Sequence, residues 1–301
     1  MDDVIARAMS ALIPGGVTRG ELGRGGRVLR WVEAGAGAPT VVLDAGSGTP
    51  GLTWAPVLSA LAEHTRVIAY DRAGLGASDP APHVTIDSEV DDLSALLSRR
   101  GNGPCILVGH SWGGMLAQLV AWSHPSLIAG LVLVDPAHED FQPWTIRVAE
   151  AVLARLSVLW NAVGLADRSL REQAAREASK RSSDPRVQNL FVDAELACNA
   201  HDYQTRTSAA EGRLLGAHIR AVRRLRARSQ LPDAPLIVLS AARGLPKGMR
   251  ARWTALQAQI AAATVQGEHV VVPDADHYIH DSQPEAVTTA VLAVVDRIWG
   301  K

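Results

Sequence analysis

The stretch CILVGHSWGG, residues 105–114, decides how this chain folds. Its first four residues form an apolar run that predicts a buried strand, and the residues after Ser111 predict a helix. A strand that passes through Gly-x-Ser-x-Gly into a helix must turn sharply, and glycine leaves room on either side of the central residue. Such a turn presents one hydroxyl at a helix N-terminus, where negative charge is stabilised. Ser111 is therefore a candidate nucleophile.

The composition fits one large α/β domain with an insertion, or two small domains. The chain has 301 residues, of which 47% are hydrophobic, and a formal net charge of −1. This charge gives no electrostatic argument for a nucleic-acid partner or for an anionic membrane surface. No run of 18 apolar residues occurs, so we expect no membrane span.

The chain start and the cysteines bear on the cellular compartment. The first 13 residues lack the basic region, the long apolar stretch and the cleavage site of a secretory signal. The two cysteines, Cys105 and Cys198, do not suggest a disulfide framework or a metal site. We therefore expect a cytoplasmic protein that is a monomer or a homodimer.

Short apolar runs alternate with helical patterns along most of the chain. Continuous apolar runs separated by helices are typical of strands in a mostly parallel sheet that helices cover on both faces. The sequence thus predicts an α/β fold with a mostly parallel central sheet of about eight strands. The apolar runs are 28–33, 40–43, 65–70, 104–108, 131–134, 235–239 and 269–272, and the predicted helices lie near 54–63, 85–100, 112–123, 250–263 and 284–299.

This alternation stops between Val134 and Pro235, where the sequence is helical and rich in Ala, Arg and Glu. A structureless loop of that length is uncommon in a compact domain. We count the runs 40–43, 131–134 and 235–239 as strands three, six and seven of the predicted sheet. We therefore predict a helical cap over 137–230, inserted after strand six, and a core domain formed by 1–136 and 231–301. The arginine-rich stretch 220–228 is expected to be a solvated helix face, with Ile219, Val222 and Leu225 directed inward.

The carboxyl ends of parallel strands are where functional groups collect. Ser111 follows one predicted strand, and a serine nucleophile needs a base with a pKa near neutrality, which histidine supplies. Among the ten histidines, His277 follows the last predicted strand in a polar loop. It is therefore the predicted base, and His280 is the alternative. A carboxylate must then orient the histidine.

The motifs at these strand ends resemble those of the α/β-hydrolase fold superfamily. They are LDAGSG at 43–48, YDRAGLGASD at 70–79, GHSWGG at 109–114 and LVLVDP at 131–136, and the histidine loop at 276–278 extends the match. The resemblance covers nearly the whole chain outside the insertion. It implies that Ser111 is the nucleophile, that His277 is the base, and that the backbone N–H groups of Ser47 and Trp112 form an oxyanion hole.

The position of the acid departs from the commonest arrangement in that superfamily. Most members place it after strand seven, but here this strand leads into SAARG at 240–244, which has no carboxylate. Some branches place it after strand six, where this chain has Asp135. Asp135 is therefore the predicted acid, and Glu139 and Asp140 are the alternatives.

The loop after strand three also departs from the common pattern, because Ala45-Gly46 stands where many relatives have His-Gly. Backbone N–H groups bind the oxyanion, so the missing imidazole leaves that prediction intact. Gly46 and Gly48 are expected to let the loop approach the substrate, and Phe141 and Trp144 to line an apolar pocket.

Together, the resemblance and the predicted residues imply a serine hydrolase that cleaves a carboxylic ester or lactone of a small to medium apolar substrate through an acyl-enzyme. No metal or organic cofactor is expected. Serine at the turn argues against haloalkane dehalogenases and epoxide hydrolases, whose relatives use aspartate there. Hydrolysis of a thioester, an amide or a carbon–carbon bond stays open. So does a non-catalytic ligand-binding protein on the same scaffold.

Overall fold

An eight-stranded sheet forms the centre of the computed structural model, which describes residues 2–100, 102–141 and 165–300. The spatial order of the strands is β1-β2-β4-β3-β5-β6-β7-β8. The strands are β1 (Thr18–Arg24), β2 (Arg27–Ala34), β3 (Val41–Asp44), β4 (Val67–Asp71), β5 (Cys105–His110), β6 (Ile128–Val134), β7 (Leu236–Ala241) and β8 (Gly267–Val272). The predicted α/β class and the strand count are confirmed.

Helices connect the parallel strands, because a parallel pair needs a crossover that returns the chain to the same end of the sheet. From β4 to β8 all neighbouring strands are parallel, whereas β2 runs antiparallel to both β1 and β4. The described helices are α1 (Asp2–Ser10), α2 (Ala55–Ala62), α3 (Ile86–Arg100), α4 (Trp112–Ser123), α5 (Leu165–Arg181), α6 (Pro185–Ala197), α7 (Asp202–Arg228), α8 (Lys247–Ala261), α9 (Ile279–Ser282) and α10 (Pro284–Trp299).

Strand β1 was not among the predicted apolar runs. Its sequence, TRGELGR, is polar, and only Leu22 is buried. The strand lies at the sheet edge and pairs with β2 alone. Edge strands with one solvated face need no apolar run, so hydrophobic pattern alone does not detect them.

The sheet separates two apolar layers. Successive side chains of a strand point to opposite faces, so Ile106 and Val108 pack with α2 and α10 while Leu107 packs with α3 and α4. Neighbouring central strands follow the same alternation, and all three of these side chains are fully buried. Burial on both faces explains why the central strands read as continuous apolar runs.

The described part of the insertion between β6 and β7 consists of α5, α6 and α7. Phe191 and Ala194 of α6 join the apolar layer that also holds Ile5 and Met9 of α1. On α7, Val222 is buried as expected, but Leu225 is 39% exposed, so its predicted inward orientation is wrong. Val222 is the last buried residue of this helix, and Leu225 lies beyond it in the final turn.

The connection order brings the loops after β3 and β5 together. After β3 the chain adds β4 on one side of β3, and it then crosses to add β5 on the other side. Loops that leave adjacent strands in opposite directions open a crevice at the carboxyl edge of the sheet. Ser111 and the loop 45–48 flank this crevice. Within the described ranges, no helix is both long and apolar enough to cross a membrane.

The two apolar layers make a matched pair of substitutions informative. Val132 in the centre of β6 is fully buried, whereas Val271 in edge strand β8 is 44% exposed. We expect Val132→Ala to lower the free energy of unfolding by about 2–3 kcal/mol, because it removes buried methyl groups and leaves a cavity. Val271→Ala should change it by about 0.5 kcal/mol or less. Urea unfolding measures both, and equal losses would contradict the assigned layers.

Candidate active site

The turn between β5 and α4 holds Ser111 in a strained backbone conformation. Its φ of 51° and ψ of −111° lie in a region that side-chain-bearing residues rarely adopt. A Cβ atom on Gly109 would overlap the Gly113 carbonyl oxygen, and one on Gly113 would overlap the Asp44 carbonyl oxygen. Both glycines of the motif are therefore required for this close packing. The Ser111 N–H donates to the Val134 oxygen at 3.1 Å.

Three predicted residues from distant parts of the chain meet in one chain of hydrogen bonds. His277 Nε2 lies 3.1 Å from Ser111 Oγ, and His277 Nδ1 lies 2.6 Å from Asp135 Oδ2. The Asp135 carboxylate is buried, while the His277 side chain is 41% exposed. The hydroxyl therefore faces a histidine whose far side is oriented by a buried acid.

The buried Asp135 carboxylate is held by donors that the sequence analysis did not identify. Its Oδ1 accepts from the Ala241 N–H at 3.0 Å, the Trp253 indole at 2.8 Å and the Gln257 amide at 3.1 Å. Trp253 and Gln257 lie four residues apart on α8, so they share one helix face. Asp135 itself has a φ of 44°, which places its side chain between these donors and His277.

The alternative acids Glu139 and Asp140 are engaged elsewhere. Glu139 binds the Arg226 guanidinium through both carboxylate oxygens, at 2.6 and 2.8 Å, and Asp140 pairs with Arg223. His138, Glu139 and Asp140 place ligand atoms within 4.8 Å of one another, a spacing that suits a metal ion. Because arginines already pair with both carboxylates, this mostly buried group is an ion-pair cluster.

The predicted oxyanion-hole residues lie on either side of the crevice. A Cβ atom on Gly46 would approach the Ser111 Cβ and the His110 ring, so the loop 45–48 is adjacent to the turn. In the described part of the chain, the backbone N–H groups of Ser47 and Trp112 donate to no other protein atom. The Gly48 N–H, in contrast, donates to Glu211 Oε2 at 2.6 Å.

The Asp71-Arg72 pair of the sequence contributes two separate structural links. Asp71 accepts the backbone N–H groups of Gly51 and Ala77, at 2.7 and 2.9 Å. The Arg72 guanidinium pairs with Asp44 at the end of β3 and with Glu211 of α7.

One of the two predicted pocket residues can be placed. Phe141 packs edge-on against the Trp253 ring, with ring centroids 4.5 Å apart, and Trp253 in turn lies 6.3 Å from the His277 ring. Phe141 is thus separated from His277 by one aromatic ring. Trp144 lies outside the described residues.

Two further histidines surround His277 and stay neutral. His110 and His280 are buried, and their rings lie 4.6 Å apart. Burial, together with neighbouring imidazoles, lowers the pKa of His110 well below its usual range and that of His280 to about 3. The His110 ring nitrogen Nε2 lies 2.9 Å from the His277 carbonyl oxygen, and a neutral ring donates there. His280, the alternative base, contacts Thr53 Oγ1 at 2.9 Å.

Comparison with known proteins identifies the family. Residues 41–290 match the model of the alpha/beta hydrolase family, so the chain belongs to that family. RutD of Serratia proteamaculans, provisionally named a carbamate hydrolase, is 40% identical over 101 residues, which span 33% of this chain and 38% of that relative. The uncharacterized protein YqjL of Bacillus subtilis is 25% identical over 86% of this chain and 85% of its own length.

A solved structure agrees on the fold. A protein of Nostoc sp PCC 7120, provisionally assigned to the alpha/beta hydrolases, superposes with a TM-score of 0.73 at 18% identity. The alignment covers 93% of this chain and 98% of that one. At this identity the similarity concerns the fold alone.

The neutral histidines predict a pH dependence of stability. His280 has a folded-state pKa of about 3 against an ordinary value of 6.5, so the unfolded chain binds more protons between these pH values and stability falls on acidification. From pH 7.5 to 5, His280 should account for a loss of about 2 kcal/mol. In His280→Gln we expect the free energy of unfolding to fall by about 2 kcal/mol less than in the wild type over this pH range.

The measurement is urea unfolding of both proteins at each pH. Asp281, whose pKa burial raises to about 6, titrates with the opposite sign, but both proteins retain it. The difference between them therefore isolates His280. Parallel pH profiles of the two proteins would show that His280 is not buried in its neutral form.

Proposed function

We propose that this protein is a serine hydrolase that cleaves a carboxylic ester or lactone of a small to medium apolar substrate through an acyl-enzyme. The observation that carries the proposal is the hydrogen-bond chain from Ser111 Oγ through His277 to Asp135, with distances of 3.1 and 2.6 Å. Nucleophile, base and orienting acid in hydrogen-bond contact form the arrangement that activates a serine at neutral pH.

In the proposed reaction His277 Nε2 accepts the Ser111 proton as Oγ attacks the substrate carbonyl. The resulting tetrahedral intermediate collapses, the leaving alcohol takes the proton from His277, and the acyl group stays on Ser111. Water then attacks this acyl-enzyme with His277 again as the base, and the carboxylic acid leaves. Asp135 holds the His277 tautomer with the proton on Nδ1 and stabilises the imidazolium that forms in each half-reaction.

The oxyanion of both tetrahedral intermediates would be bound by the N–H groups of Ser47 and Trp112. Their lack of partners among the described residues leaves both donors available. The Trp112 N–H is the first of α4, so the helix dipole adds to the stabilisation. One donor of this kind contributes about 3–4 kcal/mol to transition-state binding. Serine rather than aspartate at position 111 favours an acyl-enzyme over an alkyl-enzyme.

We further propose that 137–230 is a cap over a core formed by 1–136 and 231–301. The described helices of this segment, α5 to α7, join β6 to β7 and leave from the carboxyl edge of the sheet. The Ser111 hydroxyl lies at the same edge, so a substrate would bind between core and cap. Phe141 lies at the start of this segment. We propose that it forms part of an apolar wall of the substrate pocket on the side of His277.

Removing the nucleophile tests the proposed activity. Ser111→Ala should lower kcat on p-nitrophenyl esters by about ten thousand-fold or more, because the hydrolytic route through the acyl-enzyme is lost. Ser123→Ala, which alters the serine that ends α4, whose hydroxyl contacts Leu119, Val120 and His124 and no residue of the site, is the control and should retain full activity. The panel includes acyl chains of increasing length, a lactone and a p-nitrophenyl carbamate. No turnover of any compound, or turnover that survives Ser111→Ala, contradicts the proposal.

The donors to Asp135 give a second test. Trp253→Phe removes the indole N–H from the Asp135 carboxylate but keeps an aromatic ring against Phe141. We expect kcat/KM to fall by about ten-fold, since a hydrogen bond to a charged group contributes about 1.5–3 kcal/mol. Trp54→Phe is the matched control, because Trp54 is fully buried and its Nε1 has no partner among the described residues. Equal effects of the two substitutions would assign the loss to ring volume alone.

A further inference from the structure

Four ionisable side chains from four elements are buried together beneath the loop 45–48. Asp44 ends β3, Arg72 follows β4, Glu89 lies on α3 and Glu211 lies on α7. Their exposed fractions are 0%, 2%, 5% and 1%. Burying three carboxyl groups around one guanidinium is costly and is weak evidence for a stabilising role. The hydrogen bonds of the cluster show what it holds in place.

Arg72 binds the carbonyl side of the loop and the acid on α7 at the same time. Its Nη1 donates to Asp44 Oδ1 and to the Ala45 oxygen, both at 2.6 Å. Its Nη2 donates to the Gly46 oxygen at 2.6 Å and to Glu211 Oε2 at 2.8 Å, and its Nε donates to Glu211 Oε1 at 2.9 Å. Glu211 therefore holds the guanidinium plane through a bidentate pair.

The Gly46 carbonyl and the Ser47 N–H belong to the same peptide unit. In a trans peptide these two groups point in opposite directions within one plane, so the hydrogen bond from Arg72 to the Gly46 oxygen fixes the direction of the Ser47 N–H. A cationic donor on the carbonyl also polarises the peptide and strengthens its N–H as a donor. Glu211 Oε2 accepts the next N–H, that of Gly48, at 2.6 Å. The loop is thus held on both sides of Ser47.

We propose that Arg72 and Glu211 are positioning residues that direct the Ser47 N–H toward the oxyanion, and that this hole is complete only while α7 is docked on the core. The inference rests on the proposed function, because it assigns the Ser47 N–H to an oxyanion hole. It adds that the insertion helix supplies part of the machinery that orients this donor.

The packing of α7 supports this coupling. Gly48 and Gly74 have φ values of 68° and 81°, and a Cβ atom on either would overlap Ser208 or Thr207 of α7. The helix therefore lies directly on the two loops that Arg72 connects.

The second donor residue is tied to the same cluster. The Trp112 indole donates to Glu89 Oε2 at 2.8 Å. Burial and the neighbouring Glu211 carboxylate raise the pKa of Glu89 well above its usual range. Glu89 is also in side-chain hydrogen-bond contact with Glu211, which connects both oxyanion-hole residues to one carboxyl group on α7.

The test is steady-state kinetics of Glu211→Gln, Arg72→Lys and the double variant on the best p-nitrophenyl ester. Each single variant should lower kcat by about 10- to 100-fold, a smaller effect than the loss of a whole donor, and change KM by less than about three-fold. The double variant should lose no more than the worse single variant, because the two residues act as one unit.

The matched control is Glu139→Gln. Glu139 is 1% exposed and also makes a bidentate pair with an arginine of α7, Arg226, but it does not contact the loop 45–48. It therefore reports the loss of one buried ion pair with α7 that leaves the Arg72–Glu211 link and the peptide at Ser47 in place, so α7 stays docked and kcat should stay within two-fold of the wild type. A folded Glu211→Gln with wild-type kcat, or an equal loss in Glu139→Gln, overturns the inference.

If the variants do not fold, hydrogen exchange of the wild-type protein, with and without a covalent inhibitor, tests the inference. A fluorophosphonate adduct on Ser111 places a phosphoryl oxygen in the oxyanion hole. The adduct should slow amide exchange both in residues 45–50 and in α7, and slowing confined to 45–50 contradicts the coupling. Absence of labelling at Ser111, or an active Ser111→Ala, counts instead against the serine hydrolase itself. The two proposals thus fail in different experiments.

Discussion

The close approach of helix α4 to the ends of β3 and β5 is the constraint on which the rest of the site depends. It places the Gly113 backbone against the Asp44 carbonyl, where no side chain fits, and forces Ser111 into a positive φ. The same approach brings the first N–H of α4 beside the loop 45–48. This one packing contact therefore exposes the Ser111 hydroxyl, orients the Trp112 N–H and places the loop that carries the Ser47 N–H beside it.

Buried carboxyl groups around this turn take different roles because their surroundings differ. Asp135 accepts three N–H donors besides His277, and these donors fix the direction of its carboxylate toward the imidazole. Glu211 receives a guanidinium and a backbone N–H. Glu89 accepts a single indole N–H, and burial next to the Glu211 carboxylate raises its pKa well above the usual range. The donors around each carboxyl group thus determine what it holds in place.

The neutral histidines His110 and His280 hold the His277 loop in place without adding positive charge to the site. His110 contacts the main chain of the His277 loop, and His280 packs between His110 and Trp54. Two imidazolium ions at these positions would repel a protonated His277, so their burial in the neutral form leaves the base free to accept a proton.

The sequence by itself determined the α/β class, the central strands and the turn at Ser111, because these depend on local pattern and on glycine sterics. It also nominated His277 from its place after the last predicted strand, and the resemblance to the α/β-hydrolases nominated Asp135. It missed β1, a polar edge strand, and it directed Leu225 inward. Only the tertiary structure revealed the Trp253 and Gln257 donors and the position of Glu211. The hydrophobic pattern of a helix predicts that its polar residues face solvent, so it does not identify a buried Gln257 or Glu211. Burial of Glu211 becomes visible only when Arg72, 139 residues away in the chain, supplies its partner.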